Sequence, residues 1–228
     1  RLFNLLSEKD TLTYEDFKRV KYDHSLPTPL NYNFVDFNAI FEMNPDNYPD
    51  VADILIDIQN WDRVASADSY GAGAFAVLYY SLGKYYSKLG PSKVFNKLLI
   101  YTCLKDAKKH LLKHFRTTSI RLGDFQKLVR GDKELPIFGL PDVVTAMRGS
   151  AQKNGTIKIN HGESYIALIR FGKNKTNVAS IICYGSSNHP DSPHYSDQME
   201  MYRRFDTKPM YFDRENVIKD AKRIYHPN

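Results

Sequence analysis

Cysteine is scarce: only Cys103 and Cys183 occur in 228 residues. Both lie in apolar runs, so each is expected to pack as a small hydrophobe rather than to bridge the other, which argues against a disulfide scaffold. Long hydrophobic runs are missing; no stretch of about 18 apolar residues is present, so no membrane-spanning helix is expected. An excess of one charge is also missing, because 32 Lys and Arg interleave with 26 Asp and Glu to leave a formal +6. The densest basic run, Lys105 to Lys113, is interrupted by Leu111 and Leu112 at helical spacing. It reads as a solvated helix face, not a phosphate-binding stripe, and nucleic acid is not an expected partner. Gly71-Ala72-Gly73 lacks the third glycine and the preceding strand of a nucleotide loop. There is no internal repeat and no low-complexity segment. The sequence has neither an initiator Met nor a signal peptide, and it opens inside a helical pattern at Arg1–Leu6. The expected status is a fragment, either a processed subunit or a trimmed piece of a longer chain.

What is present is ordinary globular composition, 42% hydrophobic and 25% charged, enough to bury a core. Arg1 to Leu6 reads as the end of a helix, and Thr13-Tyr14-Glu15-Asp16 as a capping-box start of a helix to about Tyr22. Ser25 to Pro49 is loop-like, with Phe34, Phe37, Ile40 and Phe41 at the spacing of one helical face. A helix follows Pro49, with Val51, Ile54, Leu55 and Ile58 as its buried stripe. Asp68 or Ser69 is the expected N-cap of a helix whose small residues, Gly71 to Ala74, let another backbone approach, and which stops at Gly90-Pro91. Lys93 to Phe115 is a second long helical stretch, expected to break near Tyr101-Thr102-Cys103. Its His110 and His114 have metal-ligand spacing. No acidic third ligand is in phase, so a wet surface is expected rather than zinc.

Residues 155–160 alternate as a short strand. Gly162 to Phe171 and Asn177 to Tyr184 then form two strand-length runs around the turn Gly172-Lys173-Asn174-Lys175. The second run is almost wholly apolar, as in a strand covered on both faces. After Gly185, Ser192-Pro193 is expected to cap a helix, with proline at its first position. Lys208 to Phe212 reads as a short strand. Asp213 is expected to cap a last helix with Val217, Ile218, Ala221 and Ile224 on one face.

Gly162-Glu163-Ser164-Tyr165 before a strand, then Tyr184-Gly185-Ser186-Ser187, then Ser192-Pro193-His194-Tyr195-Ser196-Asp197-Gln198, resembles the C-terminal end of the β subunit of the penicillin acylase family. These are N-terminal-nucleophile hydrolases that include acyl-homoserine lactone acylases. The family's Gly-Gln-Ser is Gly185-Ser186-Ser187 here, and its Gly-Asp-Ser is Gly162-Glu163-Ser164. The Leu5-Leu6 and Leu12-Thr13 spacing, the Trp61-Asp62 segment, the Asp68-to-Phe75 helix start, and the segments Leu122 to Val129 and Leu135 to Asp142 extend the resemblance over nearly the whole chain.

The resemblance implies an α+β fold. A mainly helical segment, 1–118, precedes a strand-rich segment, 119–228, with a closing helix. Both belong to one larger catalytic domain and contribute antiparallel strands to an αββα sandwich. It further implies hydrolysis of an N-acyl amide by a serine at the N-terminus of the β subunit, freed by self-cleavage of a precursor, with its own amine as general base. Backbone N–H groups and an asparagine then hold the oxyanion. By the same resemblance that serine, the asparagine and the ligands of a structural calcium all precede Arg1, and Arg1 cannot serve as nucleophile. The expected site set within this chain is therefore empty: no catalytic, cofactor-binding or metal residue. The implied partners are the rest of the precursor (the α subunit and the N-terminal half of the β subunit) and a small acylated amine. The implied location is the periplasm or the exterior.

Read without the resemblance, Ser192, His194 and Asp197 suggest a triad. Known triads draw their members from distant parts of the chain, so capping by Ser192 and a structural His194 are expected instead. His161, Glu163, His189, Asp191 and His194 are the remaining metal-type residues near the strands, with turn and cap roles expected. Asn154-Gly155-Thr156 and Asn174-Lys175-Thr176 match the short glycosylation sequon. The alternative to an amidohydrolase fragment is a non-catalytic binding or scaffold module with a tyrosine-rich, basic surface.

Overall fold

The computed structural model describes residues 1–30, 32, 36–89 and 97–224. The chain forms two compact units, Arg1–Glu163 and Ser164–Asn228.

The first unit opens with helices α1 (Leu2–Leu6) and α2 (Tyr14–Lys21). The start of α2 follows from its sequence. The Thr13 side chain accepts from the Asp16 N–H while the Asp16 carboxylate accepts from the Thr13 N–H, so two orphan donors are satisfied reciprocally. The Asp16 carboxyl is held below its ordinary range, first by Lys9 and then by the Thr13 hydroxyl. A 3-10 helix over Phe37–Glu42 buries Phe37 and Ile40, whereas Phe41 lies under the Arg63 guanidinium at 4.3 Å. Phe34 and the expected helix stop at Gly90-Pro91 lie outside the described residues.

Three further helices build the core: α3 (Ala52–Gln59), α4 (Tyr70–Leu89) and α5 (Lys97–Phe115). The stripe Val51, Ile54, Leu55 and Ile58 is fully buried, as its spacing requires. Ser69 is the N-cap of α4, its hydroxyl accepting from the Ala72 N–H at 3.1 Å. The small residues at the start of α4 admit neighbours. A Cβ on Gly71 would sit 2.6 Å from Trp61 Cγ, and one on Gly73 would collide with the Ile120 carbonyl. An aromatic cluster fills the space beside them, with ring centroids 5.1 Å apart for Phe37 and Phe75 and 5.2 Å apart for Trp61 and Phe75.

Helix α5 runs unbroken through Tyr101-Thr102-Cys103, contrary to the expected break. The Thr102 hydroxyl donates back to the Leu98 carbonyl at 2.9 Å, and Ile100, Cys103, Leu104, Ala107 and Leu111 continue one buried stripe across the site. Burial of that stripe outweighs the weak helix preference of the β-branched and aromatic residues. Burial also pushes the Cys103 thiol up to about 12. Both cysteines are buried, and neither is in a disulfide.

His110 departs from the wet surface expected of it. It is half-buried, its ring 4.7 Å from that of His114, and its Nε2 lies 2.8 Å from the Gly155 carbonyl. The left-handed φ of Gly155 and its contact with the His114 ring explain why glycine stands there. Burial pushes the His110 imidazole below its ordinary value, with His114 adding to the effect and the Gly155 carbonyl opposing it. A depressed histidine binds fewer protons folded than unfolded. Its contribution is therefore present above the unfolded value of about 6.5 and is lost as pH falls through the folded one. His110→Gln keeps a donor for Gly155 without the charge. Its melting temperature is expected to fall less than that of the parent between pH 7 and pH 5, in matched thermal scans. An equal fall in both proteins would remove His110 from the account.

Beyond α5, α6 (Leu122–Phe125) leads into β1 (Gln126–Arg130), β2 (Lys133–Pro136), β3 (Arg148–Ala151) and β4 (Ile157–His161). These four form one sheet in the order β2-β1-β4-β3. Its β1–β2 and β3–β4 pairs are antiparallel, but β1 and β4 run parallel, an exception to the antiparallel expectation. Gln126 anchors this crossing. It is fully buried and its Nε2 donates to the carbonyls of Phe138 and Gly139, at 3.1 and 2.8 Å.

The second unit holds an antiparallel sheet, β5 (Tyr165–Phe171), β6 (Thr176–Ile182) and β7 (Lys208–Met210), in that order. The β5–β6 hairpin pairs Tyr165 with Ile182 through to Phe171 with Thr176, and Gly172 N–H closes on the Lys175 carbonyl at 2.9 Å. Helix α7 (Met199–Arg203) follows the loop after β6, and α8 (Arg214–Asp220) is the last described element. Asp213 caps α8, accepting from the Asn216 N–H at 2.8 Å. The last helix is shorter than expected. It ends at Asp220, so Ala221 and Ile224 lie beyond it, and Val217 and Ile218 are exposed.

Candidate functional site

Of the residues that carry the resemblance, Ser164 and the stretch Tyr184 to Gln198 converge, in the second unit, on the end of β6. The main ladder stops at Ile182, and one buried side chain closes it. Gln198 Oε1 accepts from the Ile182 N–H at 3.0 Å, and the Gln198 N–H donates to the Tyr184 carbonyl at 3.0 Å. The Cys183 N–H takes the Ser164 carbonyl at 3.0 Å, extending the β5–β6 ladder one step. Between Tyr184 and Gln198 the chain folds back on itself. The Ser187 N–H donates to the His194 carbonyl at 3.1 Å, and the Ser187 hydroxyl accepts from the His189 N–H at 3.1 Å.

Gly185 lies under this loop with no room for a side chain. A Cβ there would be driven into the His194 carbonyl and would sit 2.9 Å from Asp197 Oδ1. Tyr184-Gly185 and His194–Gln198 thus form a clasp that holds the end of β6 against the loop before α7.

The clasp explains why Ser192-Pro193 does not start a helix. Ser192 makes a local turn, its hydroxyl accepting from the His194 N–H at 3.2 Å and its carbonyl from the Tyr195 N–H at 3.0 Å. A helix capped at Ser192 would bond the Gln198 N–H to the His194 carbonyl, but here that N–H goes to the Tyr184 carbonyl and the His194 carbonyl takes the Ser187 N–H across the loop. Helix α7 therefore begins only at Met199, where Gln198 anchors it through the Tyr202 N–H at 2.9 Å.

The triad pattern is not assembled. His194 Nδ1 meets Asp197 Oδ2 at 2.8 Å, but the Ser192 hydroxyl faces the His194 backbone. The other metal-type residues are scattered in small local arrangements. His161 Nδ1 meets Asn160 Oδ1 at 2.6 Å, and Glu163 pairs with the ammonium of Lys21. His189 and Asp191 are exposed loop residues. Among the described residues, no group of three or more His, Cys, Asp or Glu is arranged to hold a metal ion. No helix among them is long and apolar enough to cross a membrane.

A family model described as penicillin amidase matches residues 1–219. The chain belongs to the penicillin amidase family. Its relatives include the acyl-homoserine lactone acylase PvdQ of Pseudomonas syringae pv. syringae (strain B728a), 28% identical over 101 residues, which is 43% of this chain. The PvdQ acylase of Pseudomonas savastanoi pv. phaseolicola (strain 1448A / Race 6) is likewise 28% identical over 101 residues. Each matched stretch spans 13% of that relative's length. The thermostable penicillin G acylase of Alcaligenes faecalis shares the fold. Superposition covers 100% of this chain and 51% of that one, with a TM-score of 0.50 and 12% identity.

Gln198 closes the family motif read in the sequence, but its part in the clasp was not read there. The available signal was a polar side chain next to Met199 and four residues before Tyr202, on the face that these two bury. Lys21, the partner of Glu163 from 142 positions away, had no local signal at all.

Proposed function

We propose that this chain is the C-terminal part of an N-acyl amide hydrolase of the penicillin acylase type, and that it serves as framework while the reacting groups lie in sequence outside residues 1–228. The observation that carries this reading is the family match running unbroken from residue 1 to residue 219. It is supported by the 51% coverage of a solved acylase chain and by relatives named as acyl-homoserine lactone acylases.

In this reading a serine hydroxyl from the remaining sequence attacks the amide carbonyl. The C–N bond breaks with transfer of a proton to the leaving amine, and water then hydrolyses the acyl ester. The oxyanion is held by donors from that same sequence. This chain contributes the β5–β6 hairpin and the clasp that fixes its end. The structural calcium belongs to the remaining sequence as well, and the precursor is exported to the periplasm or beyond.

The test compares the full precursor with residues 1–228 alone, each incubated with an N-acyl-homoserine lactone while the released amine is followed by chromatography. The precursor is expected to turn over and the isolated chain to stay at background. Turnover by the isolated chain would place the nucleophile within these residues. Inactivity of the precursor towards every acylated amine tried would favour a non-catalytic binding module.

A further inference from the structure

Asn154-Gly155 is the sole Asn-Gly step in the sequence. It sits in the turn between β3 and β4, where Asn154 is exposed and Gly155 is buried. Glycine shields a neighbouring asparagine amide least of all residues, because it carries no Cβ.

The bonds of this turn act in opposite senses on the two groups that could react. Asn154 Oδ1 accepts from the Thr156 N–H at 3.1 Å and from the Thr156 hydroxyl at 2.8 Å. Two donors on one carbonyl oxygen steady a developing oxyanion, so the side-chain amide is primed as an electrophile. The group that would attack it, the Gly155 backbone nitrogen, is restrained. Its N–H donates to the Gln152 carbonyl at 3.0 Å, and a hydrogen bond made by the neutral N–H opposes the proton loss that attack requires. The Gly155 carbonyl lies 2.8 Å from His110 Nε2. The φ of Gly155 is +90°, and the His114 ring leaves no space for even a methyl group on it. The Gln152 N–H bond to the Thr156 carbonyl, at 2.8 Å, and the pairing of Ala151 with Ile157 fix the chain on both sides.

We infer that Asn154 is a deamidation site gated by this turn: the amide survives while Gly155 is held and is lost when the turn opens. In the opened turn the Gly155 nitrogen gives up its proton and bonds to Asn154 Cγ. The Cγ–Nδ2 bond breaks, Nδ2 takes up a proton, and ammonia departs from a five-membered succinimide. Solvent water then adds at either carbonyl of that ring, giving aspartate or isoaspartate. Aspartate keeps an oxygen for the Thr156 donors. Isoaspartate brings the side-chain methylene into the main chain, so Gly155 no longer fits against His110 and His114 and the turn does not re-form. Reclosing of a turn is fast beside this chemistry, so the rate in the folded protein follows the population of the open turn. The reaction is internal to the turn and stands apart from the amidohydrolase reading.

The test incubates the folded protein and a synthetic peptide of residues 150–158 at mildly alkaline pH. Both are then digested in acid, and the conversion of amide to acid at Asn154 is followed by mass spectrometry, with isoaspartate separated by chromatography. The peptide is expected to lose the amide, and the folded protein to lag it by at least about tenfold, the scale of breaking two ordinary hydrogen bonds. His110→Phe keeps a ring beside Phe115 and Phe125 but withdraws the bond to Gly155. It is expected to shorten the lag by about 2- to 10-fold. Amide hydrogen exchange at Gly155 is expected to speed by the same factor, with exchange at Leu104 in the core face of α5 unchanged. Three results overturn the inference: a peptide that keeps its amide; loss of the amide in the folded protein as fast as in the peptide; or a His110→Phe variant whose Gly155 exchange speeds while its deamidation does not.

Discussion

Phe75→Ala is expected to destabilise the first unit by about 3–5 kcal/mol, the range for removing a fully buried aromatic side chain. Phe75 is completely buried at the start of α4 and lies against the rings of Phe37 and Trp61. The hole cannot collapse easily. Gly71 and Gly73, both in the turn of α4 just before it, already approach Trp61 and the Ile120 backbone, so α4 has no freedom to move inward. The lost dispersion contacts add to the lost transfer energy. Calorimetry is expected to show the transition lowered by roughly 6–20 °C. A drop of a degree or less would mean that the aromatic cluster is not the keystone of this unit.

Gly185→Ala is the second large effect, about 1–3 kcal/mol from overpacking, and it falls in the other unit. The added methyl runs into the His194 carbonyl, a backbone atom held by its bond from the Ser187 N–H. Relief requires the loop to lift, which would also strain the Gln198 bonds to Ile182 and Tyr184. Hydrogen exchange is expected to show faster exchange at Ile182, Ser187 and Gln198, with the helices of the first unit unchanged. Unaltered exchange at those three amides would show that the clasp does not hold the end of β6.

Much of the fold was readable because local chemistry and tertiary structure agree. The Thr13 capping box, the α3 stripe, the Ser69 cap, the β5–β6 hairpin and the Asp213 cap all stand where their residues call for them. The failures fall where a distant partner decides the outcome. Strand β3 reads Arg148-Gly149-Ser150-Ala151, with no alternation to announce it. It exists because it pairs with β4 and because Tyr80 accepts the Gly149 N–H at 3.0 Å. The parallel pairing of β1 with β4 is set by how the chain returns, which no periodicity encodes.

Ser192-Pro193 reads as a helix start, yet the Gln198 N–H goes to Tyr184 and the His194 carbonyl to Ser187, so the helical bond between them is not made. His110 looked like a surface residue because its neighbours are lysines, whereas the turn at Gly155 covers it. For the site itself, the family motif was legible as a sequence pattern, but its physical content, a clasp closing a strand end, emerged only from Gln198 and Gly185 seen together.

We propose a division of labour, with framework in these residues and the nucleophile elsewhere in the protein. The most direct test is to trap the acyl-enzyme with a slowly hydrolysed acyl donor on the full precursor and to map the adduct by peptide mass spectrometry. The adduct is expected on a serine outside residues 1–228. An acyl group on Ser187, Ser192 or any other residue of this chain would contradict the account.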